Sequence, residues 1–403
     1  MRVSSFYLPG LFVAAAMLHG APLDAAPLLR AGSAQPPLTA PHTPAVAALL
    51  SHPATTQARW VAVADDALMR LPDTLEWSLD GQPVRLALAH RELLDNGHEV
   101  AVGQVSNHAG ETGTGVLVRS PAGLTGSFRV GNALLRLLPA GNGRHLLYRV
   151  DETRLPPPHP AAAEPRPALP VPLPEPSGPA ATSVVRVLAV ATPQAVAGYP
   201  GDLLALLEAS VAEANLSYRN SQIDMRLQLA GLHLTRYEET RNLELDVRRL
   251  AAIGDGHLDE VHALRDQHAA DVVALLLHRG WGCGIAQEIG GDARAAFIGL
   301  LTQCALGEYT LAHEVGHLQG ARHDLKRDPA VTPFPFGHGH WHQPPRASGW
   351  RTVMSYDCPT GCRRIGYWSS PLLRYDGTPL GSAAQSDNRR VLELTRERIA
   401  GFR

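Results

Sequence analysis

From Trp60 onward the chain alternates between short apolar runs and turn residues. Trp60–Val63, Val84–Leu88, Val100–Val105, Val116–Val118 and His145–Val150 are separated by Gly and Asn positions. Runs of this length, punctuated in this way, predict β-strands. Asp80-Gly81 and Asn142-Gly143 predict hairpin turns, because Asn, Asp and Gly tolerate the positive φ that tight hairpins need. Residues 59–153 thus predict a mostly β unit. From Ser183 the period changes. Val184–Val190 is apolar apart from Arg186 and predicts a largely buried strand. Leu203, Leu206, Leu207, Val211 and Leu216 recur at helical spacing across residues 201–220. Residues 223–234 alternate as a strand, 258–267 predict a short helix, and 271–277 and 295–301 predict further strands. Strands interleaved with helices predict an α/β unit.

Between the two patterns lie residues 155–179, with 11 prolines in 25 positions. Such a stretch favours extended segments without a core and predicts a linker. Residues 27–58, rich in Pro, Ala and Thr, predict a flexible lead-in. At the N-terminus a short positive start precedes an apolar stretch from Phe6 to Leu18, followed by small residues. This predicts a secretory signal peptide cleaved near residues 20–26. The expected organisation is a signal peptide at 1–26, a propeptide-like β domain at 27–154, a Pro-rich linker at 155–182 and a catalytic domain at 183–403. No later segment has 18 uninterrupted apolar residues, so no membrane span is expected. A secreted chain, periplasmic or extracellular, can form disulfides.

Composition refines this picture. At 403 residues, 45% hydrophobic, the chain can build two cores. A formal net charge of -2 argues against a nucleic-acid partner. The four cysteines, Cys283, Cys304, Cys358 and Cys362, all lie in the C-terminal part. They allow three connectivities, of which Cys283–Cys304 with Cys358–Cys362 is the expected one. A disulfide closing the first loop would stabilise by ~3 kcal/mol. A cysteine zinc site is disfavoured, since the two-plus-two spacing is missing.

The candidate chemistry sits in Ala312–Asp324, which contains H-E-x-x-H followed by x-x-G-x-x-H. Four residues apart on a helix, His313 and His317 can aim at one metal. Gly320 can take the left-handed conformation that ends the helix. The chain then brings His323 in as a third nitrogen. Three His with an open fourth position predict a single catalytic Zn2+. Glu314 is the expected general base and acid for peptide-bond hydrolysis. His338-Gly339-His340-Trp341-His342 also looks metal-like, but a loop-packing role is expected there. No EF-hand-type calcium loop is present in the sequence.

These residues resemble the metzincin metallopeptidases. Met354, in Arg351–Tyr356, resembles the family's Met turn under the zinc. Asp324 resembles the reprolysin (adamalysin-like) branch, whereas Tyr356 resembles the astacin and serralysin pattern and implies an oxyanion donor. Val261–Asp266, Cys283–Ala286, Arg364–Ser369 and Thr395–Arg403 resemble the bacterial peptidyl-Asp metallopeptidase group. The resemblance, over about residues 184–403, implies an α/β (α+β) catalytic domain with a twisted mixed sheet. It implies a zinc endopeptidase acting on protein or peptide substrates, with an acidic residue favoured after the cleaved bond. That preference needs a cation beside the zinc, for which Arg351 and Arg364 are the candidates. In this family substrate lies antiparallel to an edge strand, here expected at residues 295–301.

Gly126–Val130 and His145–Val150 are weakly similar to strands of metzincin prodomains, so the β domain is expected to inhibit the enzyme. A cysteine thiolate cannot do this, because no Cys precedes residue 283. A carboxylate, a His or steric cover remains, with Asp151 and Glu152 among the candidates. A substrate-binding or chaperone-like β domain is the alternative. For the whole chain, the alternatives are a zinc amidase acting on cell-wall peptides and a catalytically silent zinc-binding protein.

Overall fold

The computed structural model describes residues 26–29, 43–159, 166–167, 181–345 and 348–403. The expected signal peptide up to residue 25, the lead-in at 30–42 and the linker at 160–165 and 168–180 lie outside the described residues.

The first unit is a nine-stranded sheet. Its strands are β1 (Ala26–Pro27), β2 (Thr55–Val61), β3 (Thr74–Leu79), β4 (Gln82–Leu93), β5 (Glu99–Asn107), β6 (Thr112–Ser120), β7 (Gly123–Val130), β8 (Ala133–Pro139) and β9 (His145–Val150). From β3 to β9 every strand pairs antiparallel with the next. Asp80 and Gly81 join β3 to β4 at φ 52° and 79°, and Asn142 and Gly143 turn between β8 and β9 at φ 53° and 68°. Two successive positive φ values are what the expected hairpins require. Leu75, Leu86, Leu117, Phe128 and Leu135 fill the core. The expected flexible lead-in is partly wrong. Helix α1 (Pro44–Ser51) and most of β2 fall within it. Thr43 caps α1 by accepting from the Val46 N–H, and Pro44 stands at the first position, where no N–H is missed. A short helix α2 (Asp65–Met69) follows β2.

Beyond β10 (Arg166–Pro167), the second unit is built on strands β11 (Ser183–Ala191), β12 (Met225–Leu234), β13 (Val272–Leu277), β14 (Gly284–Ala286) and β16 (Phe297–Leu301). β15 is Glu288–Ile289. The strand order is β12-β11-β13-β16-β14. All pairings are parallel except β14 on β16. Residues 295–301, expected at the edge, therefore lie inside the sheet, and β14 is the edge. The reason is visible in the burial: every residue of β16 is buried, as in a strand covered on both faces. Helices α3 (Pro193–Gly198), α4 (Leu203–Asn220), α5 (Leu243–Ala251), α6 (Glu260–Gln267), α7 (Thr310–Gln319) and α8 (Asn388–Ile399) surround it. One face packs on α4, α7 and α8 through Tyr218, Val315 and Leu392, and the other on α5 and α6 through Val247 and Val261. A small sheet of β17 (Trp341–His342), β18 (Gly349–Arg351) and β19 (Cys362–Arg364) completes the unit.

Helix α4 also serves the first unit. Ala205, Leu206, Ala209 and Ala212 pack against Val100, Val102, Val116 and Val118 of β5 and β6. Glu208, buried on this helix, meets His98 Nδ1 at 2.6 Å and accepts from Asn96 Nδ2 at 2.7 Å. Glu213, one turn on, accepts the backbone N–H groups of Gly307 (2.9 Å) and Tyr309 (3.0 Å). Burial pushes the Glu213 carboxyl up to about 7, against these hydrogen bonds. Its contribution is thus fully present below the unfolded value of 4.5 and is lost as pH rises through about 7. A shift of that size corresponds to about 3 kcal/mol. We expect Tm to fall between pH 5 and 8, and Glu213→Gln to flatten that fall. Parallel pH profiles of the two proteins in thermal unfolding would contradict this.

Candidate active site

Helix α7 carries the motif. Thr310–Gln319 is buried throughout, and Gly320 ends the helix at φ +109°. The Ala321 N–H reaches the Gly316 carbonyl at 2.9 Å, closing the last turn. A Cβ on Gly320 would meet Phe334, and one on Gly316 would meet the Trp368 ring at 2.7 Å and Met354 Sδ at 3.2 Å. The helix therefore rests directly on Met354, which is fully buried. After the turn, the Arg322 N–H donates to the Gly337 carbonyl at 2.7 Å, which swings His323 back over the helix.

The three expected histidines come together. His323 Nε2 lies 3.1 Å from His313 Nε2 and 3.1 Å from His317 Nε2. His313 Nδ1 faces the Val353 carbonyl at 2.9 Å, and His317 Nδ1 faces the Ala321 carbonyl at 2.8 Å. A carbonyl only accepts, so each Nδ1 carries the proton and each Nε2 offers a lone pair. Burial holds all three rings well below the usual imidazole pKa, with neighbouring histidines adding to the effect at each. The lone pairs of His313 and His317 converge on His323 Nε2. They fit a divalent cation that takes nitrogen donors.

Glu314 is fully buried, and burial raises its pKa. Gly284 on β14 makes room for it, since a Cβ there would meet Glu314 Oε1 at 2.6 Å. Asp324 acts on the Met turn, not on the histidine cluster. Its Oδ2 accepts from the Tyr356 N–H at 3.0 Å and Ser355 Oγ at 3.3 Å. Tyr356 stands edge-on to His323, with ring centroids 4.6 Å apart. His338 is buried too, but its Nδ1 faces the His323 carbonyl at 2.9 Å, a backbone-supporting contact.

Beside the histidines a cavity of about 400 Å³ is lined by His313, Glu314, Tyr356, Arg351 and Arg364. Arg351 and Arg364 are register partners on β18 and β19. Arg364 donates to the Glu308 carbonyl at 3.0 Å and the Ser355 carbonyl at 3.3 Å, while its buried Nε has no hydrogen-bond partner among the described residues. Burial, then the charge of Arg351, lowers its pKa to about 10. Arg351 is held by the Ser355 carbonyl at 3.2 Å and lies near Glu308 and Asp357. Glu308 is pushed up to about 7 by burial and by Glu152. Glu152, from the first unit, forms a two-pronged pair with Arg129 at 2.7 and 2.9 Å.

Two disulfides frame the cleft. Cys283–Cys304 ties the residue before β14 to the segment entering α7, with Cα atoms 5.4 Å apart. Cys358–Cys362 closes the loop after the Met turn. Both pairings are the expected ones.

One residue escaped the sequence reading. His159, from the Pro-rich joint, is fully buried among the three histidines. Its Nε2 lies 3.2 Å from each carboxylate oxygen of Glu314, and its N–H donates to the Tyr356 hydroxyl at 3.2 Å. The ligand atoms of His159, His313, His317 and His323 all lie within 4.8 Å of one another. A lone His among prolines carries no spacing signal, which is why the reading of the joint as a plain spacer passed over it.

Comparison with known proteins adds two findings. The model of metallo-peptidase family M12 (Reprolysin_5) matches residues 181–369. A peptidyl-Asp metalloendopeptidase of Stenotrophomonas maltophilia (strain R551-3) is 41% identical over 411 residues, covering 98% of this chain and 96% of its own length. One from Xanthomonas campestris pv. campestris is 39% identical over 382 residues, covering 91% and 90%. Among solved structures, metalloproteinase-II from Bacteroides fragilis is 14% identical, with a TM-score of 0.39 over 62% of this chain and 81% of its own. That last likeness is too slight to add to the assignment.

Proposed function

The chain belongs to the peptidyl-Asp metalloendopeptidase family within the M12 reprolysin-like metallopeptidases, and on that premise we propose a zinc enzyme in which His313, His317 and His323 hold the ion and Glu314 is the general base. Membership sets aside the amidase and the silent zinc-binding protein. The observation that supports the ligand set is the convergence of three Nε2 atoms, with the His313 and His317 rings fixed from behind by backbone carbonyls. Three neutral imidazoles with an open fourth position are the donor set of catalytic zinc sites.

Bound there, zinc supplies Lewis acidity that brings a water's pKa towards ~7 and polarises the scissile carbonyl. Glu314 takes the proton of the attacking water and passes it to the leaving amine. A buried carboxylate with a raised pKa is suited to hold that proton between the two steps. The Tyr356 phenol donates to the oxyanion as it forms. Edge strand β14 pairs with the backbone of an extended substrate, which gives affinity with little side-chain selection. Selection comes from the cavity next to the metal cluster. Arg351 and Arg364 receive an acidic side chain following the cleaved bond, and the orphaned Arg364 Nε is a ready donor. Two disulfides and the expected signal peptide support export, and the first unit acts as the enzyme's own inhibitor.

Digestion of a mixed peptide library with and without a chelator tests this reading. Cleavage should fall before acidic residues and vanish with the chelator. Arg364→Ala is expected to reduce the preference for acidic over neutral residues by about 10–100-fold, the worth of charge-assisted hydrogen bonds. Arg351→Ala should have a smaller effect, because its guanidinium is already engaged. Arg364→Lys guards against simple misfolding. An unchanged preference in Arg351→Ala and Arg364→Ala would remove both residues from the pocket.

A further inference from the structure

We propose that His159 is a fourth ligand of the catalytic zinc in the uncut chain, delivered by a strap that lies in the substrate cleft in the reverse direction. This rests on the assignment of zinc to the three motif histidines.

Three of the site's working parts converge on this one residue. Its imidazole sits among the zinc-ligand rings, with centroids 4.7 Å from His317 and 4.7 Å from His323. Its Nε2 faces both oxygens of the general base, and its backbone N–H occupies the phenol expected to hold the oxyanion. A fourth nitrogen closes the tetrahedral set. Four protein ligands make a structural site, whereas catalysis needs the open position.

The strap's backbone explains how His159 is held there. The Cys283 N–H donates to the Pro157 carbonyl at 2.8 Å, and the Gly284 N–H donates to the Pro158 carbonyl at 3.0 Å. Further along, β10 pairs parallel with β15, Arg166 opposite Glu288. Pro157 thus meets residue 283 and Arg166 meets residue 288, so the strap ascends in the same direction as the edge strand. A substrate antiparallel to that strand runs the other way. The strap borrows the edge's hydrogen bonds without presenting a peptide bond in the productive sense. Three consecutive prolines suit this role: they stay extended and carry no N–H that would need a partner. No cysteine is free for the task, since all four are in disulfides.

The test uses the full-length chain loaded with cobalt(II) in place of zinc, as wild type, His159→Ala and His159→Cys, with uncut length verified by mass. The visible cobalt spectrum reads the donor set directly. Wild type should show a closed four-nitrogen spectrum. His159→Ala should show the spectrum of the enzyme matured by limited proteolysis, and should yield its metal to a competing chelator about tenfold or more readily. Hydrolysis of an acidic peptide should appear in uncut His159→Ala but not in wild type. His159→Cys should restore latency and add a thiolate-to-cobalt charge-transfer band. Identical spectra and chelator competition for wild type and His159→Ala would overturn the proposal. A matured enzyme without metal-dependent activity would instead overturn the zinc-peptidase reading on which it rests.

Discussion

Glu314→Gln is expected to lower kcat of the matured enzyme by about 10²–10⁴-fold while leaving its metal content unchanged. The substitution keeps size and shape and removes only the ability to take a proton. Glu314 is fully buried, so the amide needs the same space, and the Gly284 backbone leaves that space on the β14 side. Among the described residues, the hydrogen bonds of its carboxylate run to His159 alone, 3.2 Å from each oxygen. Metal analysis of the dialysed protein together with kcat on an acidic peptide separates a lost base from a lost ion. Turnover within threefold or so of wild type would mean that another group moves the proton.

The second large effect concerns the ion itself. His317→Ala in the matured chain is expected to abolish activity and to weaken metal binding by more than the about 10–100-fold that outer partners command. His317 contributes a lone pair oriented by the Ala321 carbonyl, and no other described group in the matured site can replace it. The uncut chain should behave differently. There His159 supplies another nitrogen, so the same substitution leaves three donors instead of two. Metal retention measured on both forms after dialysis against a chelator should therefore show a smaller loss in the uncut form. Retention of one equivalent of metal by matured His317→Ala, at wild-type affinity, would remove His317 from the ligand set.

Much of the site was readable because its chemistry is tied to local geometry. His313, His317, Gly320 and His323 fall within eleven residues, and helix period plus one left-handed glycine places them. Met354 and Asp324 were readable only through family likeness, since Met354 meets Gly316 and Asp324 meets Tyr356, each 30 to 40 residues distant. The strands of the first unit announced themselves through alternation and Asn-Gly or Asp-Gly turns. The edge strand did not. Gly284–Ala286 is too short to show a period of two, while the fully apolar 297–301 run drew attention precisely because it lies inside the sheet. The start of α1 carried a legible signal, Thr43 followed by Pro44, hidden by the proline-rich composition around it. His159 was illegible for a deeper reason. Its role depends on where a stretch without periodicity comes to rest, and composition alone says nothing of that.

Helix α4 belongs to two cores at once, and this would shape any maturation by cleavage at the joint. Severing the joint converts an intramolecular contact into a bimolecular one without breaking the apolar seam of Leu206, Ala209 and Ala212 against β5 and β6. Nicking and separation are therefore distinct events. The first depends on a peptide bond, and the second obeys mass action. Crowded in a small volume, nicked halves would stay together; released into a large one, they would part by dilution.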